Sequence, residues 1–317
     1  MEKPLAPFSL RYDLRLVEDA IFLAVRGRSE ERALHAESDR LYDLTDSEAR
    51  DRAFRQHHAS WFVRLGLGAP LEQAFAEQPS ISPAVRSCMV GRALSRKDEG
   101  VELFVSPVDE GCSERDRRSV GLLLRPESLL DPDALLSFLR HELFHIADML
   151  NPDFAYEPTL PQSEGGPVYD RLLRDRYRAL WDATIDGRLV RRGWALAAVR
   201  ERCLRDFAKA FPMLGAHTAE RFVRFFDTEP HTHLELVAFA CNPDESPFKL
   251  GHGGRCPLCQ FPTYAFEPNP ERLPAAVIAW ITADFPAWHP SRGLCPQCAD
   301  LYRAQPLSMA AVQQLPK

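Results

Sequence analysis

The chain has 317 residues and a net charge of −6 at pH 7, and its length predicts two domains or one large domain with an appendage. Hydrophobic residues make up 45% and charged residues 26% of the chain, which excludes a mainly disordered protein and leaves enough apolar material for a large core. The acidic balance and the lack of a long apolar run or a signal-peptide pattern predict no membrane partner.

Helical patterns dominate the N-terminal region. Thr45 and Glu48 fit a capping box, and the helix that it opens is predicted to run to Gly66. Short runs typical of β-strands follow at 101–105 and 119–124, and they predict a small sheet.

Two long helices are predicted next. Asp131 is placed to cap the first of them, with Pro132 in its first turn, and Asn151 before Pro152 ends it. A loop rich in proline and glycine leads to the second helix, which has Gly193 just past its end. Helices are predicted over about 167–190, 194–211 and 218–227.

These elements predict an α+β fold that is mainly helical and has a small sheet. A stretch rich in proline, glycine and serine over 242–254 is typical of a domain boundary, and the composition changes after it. We therefore divide the chain into an N-terminal helical region, a central domain and a C-terminal module, which span residues 1–90, 91–241 and 242–317.

The sharpest chemical signal is a pair of histidines in the sequence His141-Glu142-Leu143-Phe144-His145. Residues four apart lie on one face of a helix, so the two imidazoles can bind one Zn²⁺. Glu142 then lies beside the metal, where it can accept a proton from a bound water molecule. The alternative interpretation is a helix with two incidental, solvated histidines.

With this motif the chain resembles the zincin metallopeptidases, whose HExxH helix packs against a β-sheet. The resemblance is specific at the motif and loose over the rest of 95–240. It implies zinc-dependent hydrolysis of a peptide bond in a protein or peptide substrate. It also implies that His141 and His145 are zinc ligands and that Glu142 is the general base.

A catalytic zinc site needs a third protein ligand and an open position. The resemblance is closest to the gluzincins, which place an acidic ligand on a later helix and, four residues on, an aspartate that orients a zinc-bound histidine. Asp182 and Asp186 on the second long helix match this spacing, although Asp182 stands where the family usually has glutamate. The alternative is a surface carboxylate pair balanced by nearby arginines.

Other third ligands are less well supported by the sequence. Metzincins would have a ligand at Asn151 and a glycine at Asp148, so the chain departs from their pattern. Asp148 lies one turn beyond His145, where it could ligate zinc, hydrogen-bond to a ligand or form a salt bridge. Cys112 after Glu-Gly resembles peptide deformylase, but the glycine-rich first motif of that family is absent and Phe144 replaces its aspartate.

A hydrolase of this kind also needs a hydrogen-bond donor for the oxyanion of the tetrahedral intermediate. Gluzincins often supply a histidine or tyrosine from a downstream segment. The candidates here are Tyr156, Tyr169, Tyr177, His231 and His233. His231 and His233 could equally face opposite sides of a strand or be solvated.

Two cysteine pairs in the C-terminal module are the second strong signal. They are Cys256-Pro257-Leu258-Cys259 and Cys295-Pro296-Gln297-Cys298. Four thiolates can close a tetrahedral structural zinc site of the zinc-ribbon or treble-clef type, and a redox pair or an iron–sulfur site is the alternative. We therefore expect two Zn²⁺ per chain, one catalytic and one structural, and a reducing compartment, the cytoplasm.

The combination of an HExxH motif with a four-cysteine module resembles, in organisation only, the SprT-like and Spartan-type proteases that act on proteins crosslinked to DNA. Their third zinc ligand is a histidine soon after the motif, and no histidine lies between residues 146 and 216 here. Residues 249–317 carry six basic and four acidic side chains, too balanced for a strong phosphate-binding surface. A structural role or the docking of a protein partner is the better interpretation of the module.

The leading functional hypothesis is a cytoplasmic zinc metallopeptidase of gluzincin type. One alternative is a zincin-shaped scaffold or binding protein without turnover, which would not need Glu142. The other alternative is a deformylase-like zinc amidase, which an assay with a formylated peptide would distinguish.

Overall fold

The computed structural model describes residues 8–107, 112–161, 166–243, 254–259, 262–263, 266–267, 269–286 and 288–312. Over these residues the protein is mainly helical with a small mixed sheet, which confirms the predicted α+β class. Internal packing divides the chain into two compact units, Met1–Glu157 with Ile185–Arg200 and Pro158–Thr184 with Glu201–Lys317. The predicted boundary segment 242–254 lies almost entirely outside the described residues.

A four-stranded sheet organises the first unit. Its strands are β1 (Ser9–Tyr12), β2 (Ser87–Arg92), β3 (Gly100–Val105) and β4 (Arg118–Leu124), in the spatial order β1-β2-β4-β3. β2 is parallel to both β1 and β4, and β3 is antiparallel to β4. Strands β3 and β4 confirm the two predicted runs. β1 and most of β2 lie within residues 1–90, the region predicted to be helical. Both strands are short and pair only with segments that are distant in the sequence, so local patterns do not reveal them.

One face of this sheet lies on a hydrophobic core and the other is exposed. Val90, Val120 and Leu122 are buried, whereas Met89 and Leu123 on the opposite face are exposed, which is the alternation of a half-buried sheet. The helices before the motif are α1 (Leu14–Val25), α2 (Ser29–Asp39), α3 (Ser47–Arg64), α4 (Ala69–Ala76), α5 (Ile81–Ala84) and α6 (Glu114–Arg117), with 3-10 turns at Arg96–Asp98 and Pro126–Leu130.

Helix α3 begins one residue later than the capping-box pattern predicts. The N-cap is Asp46, whose carboxylate accepts hydrogen bonds from the backbone N–H groups of Glu48 and Ala49 at 3.3 and 3.0 Å. Aspartate caps a helix at least as well as threonine, and its charge is favourable at the positive end of the helix dipole. Asp46 is therefore the N-cap of α3, the role that the sequence predicts for Thr45.

Helix α7 (Pro132–Leu150) carries the histidine motif and has the predicted boundaries. The carboxylate of Asp131 accepts a hydrogen bond from the backbone N–H of Ala134 at 3.1 Å and so caps the helix. Leu139 and Leu143 of this helix are fully buried in the same core as the strands. The motif helix is therefore packed against the sheet.

Helix α8 (Gly166–Arg191) is the second long helix, and a glycine ends it as predicted. Gly193 has a positive φ of 69°, a conformation that glycine adopts without a steric penalty. The backbone N–H groups of Gly193 and Trp194 donate to the carbonyls of Val190 and Leu189 at 3.0 and 2.9 Å. These two bonds form a Schellman motif, which satisfies the last carbonyls of the helix.

The remaining elements are α9 (Val199–Ala210), α10 (Thr218–Phe226), α11 (His233–Cys241), β5 (Gly254–Arg255), β6 (Pro262–Thr263), α12 (Ala275–Asp284) and α13 (Pro296–Val312), with 3-10 turns at Pro212–His217, Pro270–Arg272 and Pro290–Arg292. Buried phenylalanines dominate the core that α9, α10 and α11 share; they are Phe207, Phe211, Phe222, Phe225, Phe226 and Phe239. In the part of the chain that is described, no helix is both long enough and apolar enough to cross a membrane.

Candidate metal centres

Two clusters of metal-binding side chains form within the described ranges. The first, the histidine–aspartate cluster, consists of His141, His145 and Asp182, and the second, the cysteine cluster, consists of Cys256, Cys259, Cys295 and Cys298. In each cluster, one ligand atom from every residue lies within 4.8 Å of the others. The structure thus brings together both sets of side chains that the sequence predicts as zinc ligands.

Helix α7 presents the two imidazoles of the histidine–aspartate cluster side by side. The ring centroids of His141 and His145 are 5.1 Å apart and the ring planes are inclined by 68°. Both residues are partly buried, as is Glu142 between them in sequence. The leucine stripe that anchors α7 in the core therefore leaves the motif side chains at the rim of that core.

Asp182 joins the imidazoles from helix α8. Its carboxylate also lies 3.8 Å from Nε of Arg178, whose side chain is 80% exposed. An exposed ion pair at this distance contributes little free energy, so it does not compete strongly with a metal ion. The aspartate carboxylate is long enough to lie within 4.8 Å of the ligand atoms of both histidines.

Asp186 fixes the orientation of His141. Its carboxylate is 4% exposed, and Oδ1 lies 3.0 Å from Nδ1 of the imidazole. An ionised carboxylate can only accept a hydrogen bond, so with a neutral imidazole this contact would put the proton on Nδ1 and leave the lone pair on Nε2. This arrangement orients metal-binding histidines in many proteins, and it is the role that the sequence predicts for Asp186.

Asp148 lies outside the cluster and binds an arginine. Nη1 and Nη2 of Arg188 on α8 donate to the two carboxylate oxygens of Asp148 at 2.7 and 2.5 Å. Of the roles that the sequence left open for Asp148, the structure shows the salt bridge. Arg188 was missed because its partner lies on another helix, and no local pattern indicates such a contact.

Cys112 is exposed and belongs to neither cluster. The Glu110-Gly111 pair that precedes it, on which the deformylase resemblance depends, lies outside the described residues. The structure therefore offers no support for Cys112 as a third ligand.

The predicted oxyanion donors lie on several elements. Tyr177 on α8 and His233 on α11 are both buried and share a hydrogen bond of 2.7 Å between the phenol oxygen and Nδ1. Burial raises the pKa of Tyr156 and lowers the pKa of His231. Tyr169 is partly buried near the start of α8. All five remain candidates, and the Tyr177–His233 pair is the most enclosed.

The two downstream histidines flank a helix start and do not alternate along a strand. Thr232 is the N-cap of α11, its hydroxyl accepts from the backbone N–H of Glu235 at 3.2 Å, and the Glu235 carboxylate accepts from the backbone N–H of Thr232 at 2.9 Å. This reciprocal pair is a capping box. The Thr-x-x-Glu spacing of this box is visible in the sequence and indicates the start of α11, which periodicity alone does not predict.

Distances within the cysteine cluster match a tetrahedral zinc site. The Sγ atoms of Cys256 and Cys298 are 3.8 Å apart, and those of Cys259 and Cys295 are 3.9 Å apart. With a zinc–sulfur distance of about 2.3 Å, the corners of a tetrahedron lie about 3.8 Å apart. A disulfide would bring two sulfurs to about 2.0 Å, and all four cysteines are free.

Backbone N–H groups around the cysteine cluster point at its sulfurs. Burial opposes ionisation of Cys256, but N–H groups of Cys259, Cys295 and Leu258 outweigh it and lower the pKa of this thiol to about 7. Burial raises the pKa of Cys295, although hydrogen bonds from the backbone and side chain of Cys298 partly lower it. Burial, followed by hydrogen bonds with Cys295 and Cys259, raises the pKa of Cys298. A bound dication would offset the repulsion among four thiolates, so this donor set fits zinc.

The cysteine cluster is also the centre of its own small core. The first cysteine pair lies between β5 and β6, and the second lies at the start of α13. Buried side chains that pack with the sulfurs include Ile281, Trp288 and Leu294. Metal binding and hydrophobic burial therefore stabilise the same segment.

No protein-family model, no curated protein and no solved structure matches the chain. The interpretation of both clusters accordingly depends on their geometry and donor chemistry.

Proposed function

We propose that this protein is a zinc-dependent metallopeptidase of gluzincin type. The observation that carries the proposal is the convergence of His141, His145 and Asp182, with Glu142 beside the first histidine on the same helix. Two imidazoles and one carboxylate are a common ligand set of catalytic zinc sites, which keep a fourth position open for water or substrate.

Different side chains of the protein would carry out the separate tasks of this reaction. Zinc held by this cluster would supply a Lewis acid that polarises the scissile carbonyl and activates a water molecule. Glu142 accepts a proton at its carboxylate and returns it to the leaving amine. Asp186 keeps the proton of His141 on Nδ1, so the other ring nitrogen stays available for the metal.

We further propose that the cysteine cluster binds a second zinc ion with a structural role. A cysteine pair beside a short hairpin and a second pair at a helix start are the arrangement expected of a treble-clef module. The charge of the module is balanced, so a structural role or a protein partner fits it better than nucleic acid.

The proposal predicts that metal binding and turnover respond differently to substitution. Glu142→Gln keeps the shape of the side chain but cannot act as a base, so it should retain zinc and lose about 10²–10⁴-fold in turnover. Asp182→Ala should instead weaken zinc binding itself. Zinc content is measured by elemental analysis, and turnover with dye-labelled casein and a mixture of quenched fluorescent peptides.

Glu18→Gln serves as the control, because this glutamate is exposed on α1 and belongs to neither cluster. It should keep both zinc and activity. A parent protein that holds two zinc ions but cleaves no peptide would contradict the peptidase and favour the non-catalytic scaffold. Cleavage of a formylated peptide alone would favour the amidase.

A further inference from the structure

We infer that Arg188 is a positioning residue for the histidine–aspartate cluster. Through its ion pair with Asp148, it holds the C-terminal end of α8 against α7, the helix that carries both histidines, and we expect this contact to affect how tightly the cluster binds a metal ion. The inference rests on the proposed metal site and names the contact that would set its affinity.

The stripe of side chains along α7 shows why a second contact is needed. His141, His145 and Asp148 are spaced by four and three residues and therefore lie on one face of the helix. Asp186 contacts the first of them and Arg188 the last. The seven-residue separation corresponds to roughly 10 Å along the α7 axis. Asp186 and Arg188 are two residues apart on α8, so these contacts hold the same end of α8 at two separate points along α7.

The two-point contact between Arg188 and Asp148 restricts the relative orientation of the two side chains as well as the distance between them. Both oxygens of the carboxylate accept from the guanidinium, so the two planar groups are held in parallel. The side chains are only 16% and 7% exposed. The guanidinium also lies 4.7 Å from the ring centroid of Phe144, on the motif helix, which restricts it further. A lysine could replace the charge but not this planar, two-point geometry.

A small change in the orientation of α8 would move its side-chain atoms by more than the spread of ligand distances in a metal site. A side-chain atom about 5 Å from the axis of α8 moves by roughly 0.9 Å when the helix turns by about 10°. Zinc–ligand distances vary by only about 0.2 Å in well-formed sites. Loosening the Arg188–Asp148 contact should therefore weaken the cluster even though neither residue belongs to it.

The chain contains a matched control for this contact. Arg140, also on α7, binds both carboxylate oxygens of Glu77 at 2.6 and 2.7 Å, and these side chains are 16% and 18% exposed. This pair ties α7 to Glu77 at the end of α4. The Arg140 guanidinium also lies 4.9 Å from the ring centroid of Trp194, just past the end of α8, so the control changes Glu77 and leaves Arg140 in place. The pair has similar chemistry and burial on the same motif helix, and loss of its glutamate should not affect the metal ligands.

The experiment compares Arg188→Lys with Glu77→Gln in the full chain. Metal-free protein is first given one equivalent of zinc, which the closed four-thiolate cluster should bind more tightly, and Co²⁺ is then titrated into the histidine–aspartate cluster while its visible absorption is recorded. Arg188→Lys should lower the Co²⁺ affinity about 10–100-fold, as expected when a residue that supports a metal ligand is changed, and should alter the spectrum. Glu77→Gln should leave both unchanged, although it lowers the free energy of unfolding.

Each outcome of the Co²⁺ titration either supports or overturns the role inferred for Arg188. Parental affinity and spectrum in Arg188→Lys, or an equal loss in Glu77→Gln, would overturn the inference. If Arg188→Lys does not fold, Asp148→Asn removes the same contact with a side chain of the same shape and is judged by the same criteria. A parent that takes up Co²⁺ but cleaves no peptide contradicts the peptidase alone, whereas a parent that takes up no Co²⁺ at this cluster contradicts the metal site and the inference together.

Discussion

Asp182 and Asp186 show how two identical side chains, one turn apart, acquire different roles from their surroundings. Asp186 is almost fully buried and accepts from His141, whereas the side chain of Asp182 is 35% exposed and lies near the exposed Arg178. The buried carboxylate lies 3.0 Å from Nδ1 of His141, while the more exposed one lies within the cluster of ligand atoms. We therefore expect Asp186 to act through His141 and Asp182 to act on the metal directly.

At this scale we predict that Asp186→Asn lowers zinc affinity about 10–100-fold without removing a ligand, because the amide is a weaker acceptor for the Nδ1 proton. Arg178→Ala removes the exposed neighbour of Asp182 and should change the affinity by less than about twofold, as surface ion pairs contribute little. Competition with a chromophoric chelator measures both affinities. Equal losses in the two variants would contradict the division of roles.

Among the elements, the C-terminal segment depends most on its metal ligands. β5 and β6 have two residues each, and the core around the sulfurs is small. Such a segment cannot bury enough apolar surface to fold stably without further help. Structural zinc contributes folding free energy on the order of 10 kcal/mol in comparable modules.

Replacing one cysteine of the cluster should therefore unfold this segment and leave α7 folded. Cys295→Ser is the test variant, and amide hydrogen exchange across α12 and α13 is the measurement. Cys112→Ser is the matched control, because this cysteine is exposed and outside the cluster. Protection that persists in Cys295→Ser would show that the module folds without its metal ligand.

The tie between α4 and α7 should give the protein a defined acid sensitivity. A hydrogen bond from Arg140 holds the pKa of Glu77 below its usual value of 4.5. The unfolded chain therefore binds this proton more readily than the folded one, and the stabilisation is complete above the unfolded pKa and is lost as the pH falls through the lower folded pKa. The stability advantage of the parent over Glu77→Gln should therefore shrink as the pH falls below the usual glutamate pKa of 4.5, which urea unfolding at a series of pH values measures.

For the whole molecule, the two clusters differ in how completely the protein encloses a metal. The histidine–aspartate cluster offers three side chains and the cysteine cluster four. Three ligands leave an open position that a chelator can attack, whereas four thiolates leave none. We therefore expect two classes of bound zinc in one chain.

Elemental analysis should find two Zn²⁺ per chain in carefully purified protein. A mild chelator should remove one ion readily and the other slowly, and Asp182→Ala should contain only the slowly removed ion. One zinc ion or none in the parent would contradict the assignment of two sites.

The features that could be predicted from the sequence depend on residues only a few positions apart. The spacing of His141 and His145 on a helix, and of the cysteines in each pair, follows from backbone geometry within a few residues. The capping residue Asp131 likewise indicates where α7 begins. Each of these signals needs no knowledge of distant parts of the chain.

What could not be predicted depends on distant segments. The contact between Arg188 and Asp148 joins α8 to α7, and the hydrogen bond between Tyr177 and His233 joins α8 to α11. Strand β1 is stabilised by pairing with β2, and β2 also pairs with β4, while their short sequences carry little signal of their own. Tertiary contacts of this kind override local propensity.

The register of the sheet has a consequence for the order in which the chain folds during synthesis. Ser9 pairs with Ser87, about 80 residues later, so β1 leaves the ribosome long before its neighbour exists. Such parallel pairing is slow, because the entropy of closing a long loop is lost before any contact compensates for it. β4 follows shortly afterwards, and α7, whose hydrogen bonds are all local, begins at Pro132. We therefore expect the closing of the sheet, and not the formation of the motif helix, to limit the rate at which the histidines acquire their surroundings.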